Sequence, residues 1–214
     1  MTQASGDKTL KAVVYGIGIF FVLYNLVAWL APIFMLVGLE KAGKVIYTIY
    51  SPLCHQLPER STYIGGEAIW PTSYNLYEAG YTSIKDDSLV SHINDGRDFY
   101  GNEKIGYKVA FCSRDLGIYT ALIIVMLLVF LTKINFQKIN LFLRIFLLFP
   151  MAIDGGVQLI SSYLYELGTI DELFYQSNNP KRIITGMIFG AGVALLLFPY
   201  VKEELNEGDD VAET

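Results

Sequence analysis

The chain has few of the residues on which most enzymatic sites depend. Among its 214 residues it has only two cysteines and two histidines, and charged residues make up 17%. The sequence contains no phosphate-binding loop, dinucleotide fingerprint, zinc-protease helix or serine nucleophile elbow. It also has no basic stripe interleaved with aromatics of the kind that binds nucleic acid. These absences exclude the common soluble-enzyme chemistries and leave open whether the protein is an enzyme.

Apolar residues, in contrast, make up 53% of the chain. They form runs long enough to cross a bilayer, which needs about 20 residues in a helix. We therefore expect an all-α integral membrane bundle of four transmembrane helices, at residues 12–39, 112–132, 139–163 and 181–202. Residues 45–53 are too few to span, and Tyr47 and Tyr50 suggest a segment at the headgroup level. Residues 54–111 then form a long external loop.

Basic residues set the expected orientation. Lys133 and Lys138 follow the second span, and lysines also precede the first span. By the positive-inside rule, both termini are cytoplasmic. The membrane domain, residues 12–202, is then flanked by a cytoplasmic segment, residues 1–11, and by an acidic tail, residues 203–214, that we expect to be disordered. We expect a multi-pass protein of a prokaryotic cell membrane.

Four groups of polar residues lie at the edges of the apolar runs. A charged side chain near hydrocarbon costs a few kcal/mol or more, and it persists where it pairs, binds something or faces a cavity. The expected topology places all four groups near the outer face, so we predict that they converge on one polar site. The groups are Cys54 to Gln56, Cys112 to Asp115, Asp154 to Gln158, and Ser177 to Asn179 followed by Arg182.

Cys54, His55, Cys112 and Asp115 are candidate metal ligands. Thiolate, imidazole and carboxylate groups suit zinc or another transition metal ion. Cys112 and Asp115 are three residues apart, so in a helical turn they share a face. Two alternatives stay open at this point. Cys54 and Cys112 can form a disulfide on an oxidising exterior, and Asp115 can cap the second span.

Asp154 and Gln158 are the first candidates for catalytic roles. They are four residues apart and share one helix face. In a catalytic site, Asp154 is a candidate general base or further ligand, and Gln158 a hydrogen-bond donor. Arg114 and Arg182 are candidate clamps for an anionic substrate group. The structural alternative is an ion pair between Asp154 and either arginine.

The same polar groups resemble the signature of the DUF2085 family of uncharacterised polytopic membrane proteins. That signature reads Cys-His-Gln and Glu-Arg-Ser, then Cys-x-Arg-(Cys or Asp)-x-Gly-Ile-Tyr, Asp-Gly-x-x-Gln, and a Ser/Asn patch before Arg and Thr-Gly. The matching positions are Cys54, His55, Gln56, Glu59, Arg60, Ser61, Cys112, Arg114, Asp115, Gly117, Ile118, Tyr119, Asp154, Gly155, Gln158, Ser177, Asn178, Arg182, Thr185 and Gly186. Many relatives resemble Cys-x-x-Cys where this chain has Asp115. Because aspartate binds metals but forms no disulfide, the exchange favours a polar or metal site at that position.

Three functions are compatible with these residues. The first is a metal site that supports metal-assisted hydrolysis or group transfer. The second is a non-enzymatic subunit or scaffold, in which a Cys54–Cys112 disulfide closes the external loop and the loop contacts a membrane-complex partner. The third is a small transporter that uses the face of Asp154 and Gln158, with a homo-oligomer supplying the missing half.

Overall fold

The computed structural model describes residues 3–82 and 89–212, and within these the side chains of residues 12–82 and 93–205. The chain is mostly helical, and four helices are long and apolar enough to cross a membrane. This confirms the predicted all-α class and the four membrane-spanning helices. The spans are Ala12–Leu36, Ser113–Leu131, Leu141–Glu166 and Asn179–Leu205.

The described elements fall into two compact units. A helical unit contains Met1–Leu23, Gly117–Ser177 and Ile184–Thr214, and a mixed unit contains Tyr24–Leu116 and Asn178–Ile183. In chain order the helices are α1 Gln3–Leu36, α2 Glu40–Tyr50, α3 Ser73–Glu78, α4 Leu89–Asp98, α5 Ser113–Leu131, α6 Leu141–Phe146, α7 Phe149–Glu166 and α8 Asn179–Ala212. The strands are β1 Ser61–Ile64, β2 Gly101–Asn102 and β3 Gly106–Cys112.

The helical unit is held together by apolar packing and by one very close backbone approach. Its buried cluster contains Leu122, Met126, Val129, Ala194 and Phe198, from α5 and α8. A Cβ atom built on Gly190 would lie 2.2 Å from the carbonyl oxygen of Ile118. Glycine at this position therefore lets α8 lie directly against the backbone of α5, as small residues do between membrane helices.

Two cationic side chains of the helical unit bind backbone carbonyls. Lys202 donates to the carbonyls of Val129 and Thr132 at 2.7 and 2.8 Å, where α5 ends. The guanidinium of Arg144 is buried and donates to the carbonyls of Phe136, Gln137, Ile139 and Leu195. Most of these bonds satisfy carbonyls that a helix end or a loop would otherwise leave unpaired in an apolar setting. The carbonyl of Leu195 lies within α8 and lacks a helical donor because Pro199, four residues on, has no N–H.

Among the described residues, the first and last helices extend beyond the membrane spans toward the two ends of the chain. Residues 203–212, expected to be a disordered acidic tail, instead extend α8 to Ala212. Glutamate and leucine are good helix formers, and a helix already nucleated by the apolar span extends at little cost. At the other end α1 begins at Gln3.

The region between the first two spans folds as a small mixed unit. Its antiparallel sheet has the strand order β1-β3-β2, and Ser61 of β1 lies opposite Cys112 of β3. The register shifts between Ser61 and Tyr63, which marks a bulge. A second apolar cluster, formed by Tyr63, Leu76, Tyr81 and Ile105, packs within this unit.

Helix α2 runs back along the last part of α1. A Cβ atom on Gly43 would lie 3.0 Å from the carbonyl oxygen of Ala31, and the rings of Tyr50 and Tyr24 stack 4.9 Å apart. The expectation that Tyr47 and Tyr50 face the headgroups is wrong, because both are buried in the protein. Their hydroxyls donate to the carbonyls of Lys108 and Tyr24, which gives each buried hydroxyl a partner.

Candidate metal centre

Cys54 follows the C-terminal end of α2 in a tightly held turn. Its N–H donates to the carbonyl of Tyr50 at 3.0 Å. Two residues later, Gln56 has a φ of +55°, the left-handed region that side chains other than glycine rarely adopt. The Gln56 amide donates to the carbonyl of Tyr47 at 2.8 Å, and the side chain is buried. The turn is therefore fixed by a side-chain bond rather than by glycine.

Cys112 and Asp115 come from the junction of β3 and α5. Cys112 is the last residue of the strand, and Asp115 lies in the first turn of the helix, two residues after its start. The backbone N–H of Cys112 donates to Cys54 Sγ at 3.2 Å, and the Cys112 thiol donates to Asp115 Oδ2 at 3.2 Å. The ligand atoms of all three residues lie within 4.8 Å of one another.

The two cysteines are free thiols, and their pKa values are shifted in opposite directions. The hydrogen bond from the Cys112 thiol lowers the pKa of Cys54, helped by the N–H groups of Gln56 and Cys112 and opposed by burial and by the charge of Asp115. The same bond, together with burial, raises the pKa of Cys112 well above its ordinary value. Of the two cysteines, Cys54 is therefore the one that loses its proton more readily.

Of the four predicted ligands, three come together. His55 is exposed and lies outside the three-residue group. Its neighbour Cys54 points inward because adjacent side chains in an irregular turn face different ways. Ser61, the last residue of the Glu-Arg-Ser motif, pairs with Cys112 in the sheet. The side chain of the next residue, Thr62, lies 3.0 Å from that of Ser113.

The fourth polar group contacts the Glu-Arg-Ser motif within the mixed unit. The Asn179 amide, at the start of α8, donates to the carbonyl of Glu59 at 3.1 Å. Arg182 is buried three residues further along, and Arg114 belongs to the same unit. The first, second and fourth groups therefore all contribute residues to this unit.

Asp154 and Gln158 belong to the helical unit. Both are buried on one face of α7 together with Ser161, as their spacing predicts. The hydroxyl of Tyr175 donates to Asp154 Oδ1 at 2.6 Å, and the backbone N–H of Tyr175 donates to Ser161 Oγ at 3.1 Å. The convergence of this group with Cys54 at one depth stays a prediction, as does an ion pair of Asp154 with an arginine.

Comparisons with known proteins identify the family. A family model described as "Predicted membrane protein (DUF2085)" matches residues 92–196. The chain is 31% identical over 91 residues to an uncharacterized protein of Methanothermobacter thermautotrophicus, covering 42% of this chain and 71% of the relative. The chain belongs to the DUF2085 family. It is also 28% identical over 190 residues to uncharacterized protein MJ1492 of Methanocaldococcus jannaschii, covering 86% of this chain and 88% of that protein. No solved structure matches the chain.

The DUF2085 family match includes Cys112, Asp115 and Asp154 and begins after Cys54. Two buried or bonded polar residues of this DUF2085 protein were not predicted from the sequence, Tyr175 and Lys108. Tyr175 is not among the predicted site residues, and no local signal connects it with Asp154. Lys108 carries no motif at all, although it is the buried lysine of β3.

Proposed function

We propose that this membrane protein binds a transition metal ion, zinc or a similar ion, through Cys54, Cys112 and Asp115. The observation that carries the proposal is that two thiols and a carboxylate, from segments 58 residues apart, place their ligand atoms within 4.8 Å of one another. Thiolate ligands select zinc and related ions over magnesium or calcium.

The separation of one ligand pair is already close to that of a tetrahedral ion, and the three ligand atoms lie within 4.8 Å of one another. Zinc–sulfur and zinc–oxygen bonds of about 2.0–2.3 Å put neighbouring ligand atoms roughly 3.3–3.8 Å apart. The separation of Cys112 Sγ and Asp115 Oδ2 is already 3.2 Å. A thiolate at Cys54 beside the Asp115 carboxylate also gathers negative charge that a cation would neutralise, and binding would release the Cys112 proton.

A buried polar atom near the ligands supports the same assignment. Among the described residues, Gln56 Oε1 is buried and has no hydrogen-bond partner. It belongs to the residue that follows His55 in the turn carrying Cys54. Buried polar atoms of this kind often mark the place of a water or an ion.

Three protein ligands leave the fourth tetrahedral position for water or a substrate group, as in catalytic zinc sites. Such a site supports metal-assisted hydrolysis or group transfer on a lipid or peptide, by polarising the substrate and activating water. In this proposal Arg114 and Arg182, which belong to the same unit as the three ligands, hold an anionic group. The site opens to the outside, both termini are cytoplasmic, and the membrane is that of a prokaryotic cell.

Elemental analysis of the purified protein tests the metal site. We expect about one zinc or similar ion per chain in the wild type, and loss of that ion in the double variant Cys54→Ser with Cys112→Ser. Asp171→Asn, which removes a carboxylate outside the three-residue group, is the matched control and should keep its metal.

A second readout separates metal loss from misfolding. Cobalt added to the wild type should produce thiolate-to-cobalt charge-transfer absorption, and Asp115→Asn should shift this spectrum while retaining both sulfurs. Substoichiometric metal in the wild type, unchanged in the double cysteine variant and with no cobalt spectrum, would refute the proposal.

A transporter is the second candidate, favoured by the buried polar face of α7. Asp154, Gln158 and Ser161 lie buried along that face, and Tyr175 bonds two of them. Buried ionisable residues in membrane helices commonly mark a proton or substrate path. Uptake by vesicles containing the wild type, lost in Asp154→Asn, would support this function over hydrolysis.

A further inference from the structure

The last part of the first membrane span is accompanied by a second helix. The ring of Tyr50, at the end of α2, stacks on Tyr24, which lies in the middle of the span Ala12–Leu36. Twelve residues of α1 separate Tyr24 from Leu36, or about 18 Å along the helix axis. Helix α2 therefore covers a large part of the outer half of this span.

The depth of α2 follows from the length of the span. Its 25 residues extend about 37 Å, whereas the hydrocarbon core is about 30 Å thick. If the whole excess of about 7 Å protruded on the side of Leu36, the level of Tyr24 would still lie about 10 Å inside the hydrocarbon. The end of α2 next to Cys54 would lie at a similar depth.

The face of α2 that points away from the protein carries Val45 and Ile49, which are 58% and 62% exposed and share a helix face because they are four residues apart. Leu53, 68% exposed, lies in the turn just after the helix and completes the apolar stripe. The exposed polar residues of α2 include Lys41, Lys44 and Thr48. The opposite face, with Ile46, Tyr47 and Tyr50, is buried. On α1, Leu30 and Ile33 are also apolar and exposed.

The polar side chains of α2 are arranged as a membrane helix requires. Glu40 and Lys44 pair at 3.2 Å near its beginning, where α1 ends and the headgroups lie. Further along, the hydroxyl of Thr48 donates to the carbonyl of Lys44, and that of Ser51 donates to the carbonyl of Thr48, both at 2.9 Å. Hydroxyls bonded to their own helix can face lipid without an unpaired donor.

We propose that α2 is a re-entrant helix whose stripe of Val45, Ile49 and Leu53 contacts the acyl chains of the outer leaflet. Lipid is favoured over a protein partner because α2 packs along a helix of membrane-spanning length, at Ala31 through Gly43 and at Tyr24 through Tyr50. Leu53 adjoins Cys54, so lipid would lie beside the metal ligands. Resting on the proposed function, this assigns the site a substrate that arrives from the bilayer, such as a lipid.

Tryptophan fluorescence in vesicles tests the position of the stripe. The chain has two tryptophans, Trp29 and Trp70, which are replaced by phenylalanine to give a silent background. Ile49→Trp and, independently, Val45→Trp then report from the stripe. Tyr74→Trp, at a 68% exposed position on α3 of the same unit, is the matched control. Each variant is reconstituted with phosphatidylcholine brominated on its acyl chains, and also exposed to acrylamide in the water.

We expect brominated lipid to quench both stripe tryptophans severalfold more than Tyr74→Trp, with acrylamide giving the reverse order. Acrylamide quenching of the stripe as strong as that of the control would overturn the proposal. Blue-shifted emission that neither quencher affects would also overturn it and would indicate a second copy on the stripe. The metal content of the same samples is measured in parallel. Lipid quenching without metal would refute only the metal site, and metal without lipid quenching only the re-entrant helix.

Discussion

Lys108 should make the stability of this protein rise with pH above neutrality. Its side chain is fully buried on β3, where the ammonium donates to the carbonyls of Gln56 and Gly96 at 2.8 and 2.6 Å. The rings of Tyr47 and Tyr100 each lie 5.9 Å from the nitrogen. Burial lowers the pKa of Lys108 from 10.5 to about 7, and the nearby acidic groups offset only part of this effect.

The sign follows from the two pKa values. Between pH 7 and 10.5 the unfolded chain keeps the lysine proton while the folded protein releases it, so the free energy of unfolding increases with pH. Each pH unit in this window is worth about 1.4 kcal/mol. At pH 7 the folded group is still about half protonated, so the gain from pH 7 to 9 is about 2 kcal/mol. For a chain of this size that corresponds to roughly 4–8 °C in Tm.

Thermal unfolding in detergent at pH 7, 8 and 9 measures the increase in the free energy of unfolding, and the wild type is compared with Lys108→Met. The wild type should gain about 2 kcal/mol more than Lys108→Met over this range, because the other titrating groups are common to both. Lys104→Met, which removes an exposed lysine of the same unit, should follow the wild-type profile. Parallel pH profiles for the wild type and Lys108→Met would refute the reasoning.

Two further predictions concern the helix contact and the thiols. Gly190→Ala should destabilise the protein by about 1–3 kcal/mol, because the added Cβ would overlap the carbonyl of Ile118. Gly156→Ala meets nothing within 4 Å in the described part of the chain and should be neutral or stabilising by up to about 1 kcal/mol; equal Tm shifts would contradict this. Alkylation under denaturing, non-reducing conditions should label both Cys54 and Cys112, whereas unlabelled chains would support the disulfide-linked scaffold.

The spans could be predicted because hydrocarbon imposes a simple rule on composition and length. Each of the four apolar runs became a helical segment of membrane-spanning length, although the first ends at Leu36, the third is divided into α6 and α7, and the last begins at Asn179. The meeting of Cys54 with Cys112 and Asp115 was also predictable, because polar residues at the edges of apolar runs need partners.

The folded region between the first two spans could not be derived in the same way. Its stability depends on contacts between residues far apart in sequence, and no local pattern encodes them. Lys108 finds its acceptors at Gln56 and Gly96, which are 52 and 12 residues away. Tyr47 and Tyr50 match the composition of a headgroup segment, but tertiary packing buries them against β3 and α1. Burial of this kind overrides a compositional expectation.

The turn at Cys54 has a mechanical consequence. Its peptide N–H and the Gln56 amide both bind carbonyls of α2, at Tyr50 and Tyr47. The hydroxyl of Tyr47 also holds the carbonyl of Lys108, on the strand that ends at Cys112. One short helix thus anchors the backbone on either side of the sulfur pair. Because both segments are tied to the same helix, a displacement of α2 moves them together, and the spacing of the two sulfurs is preserved.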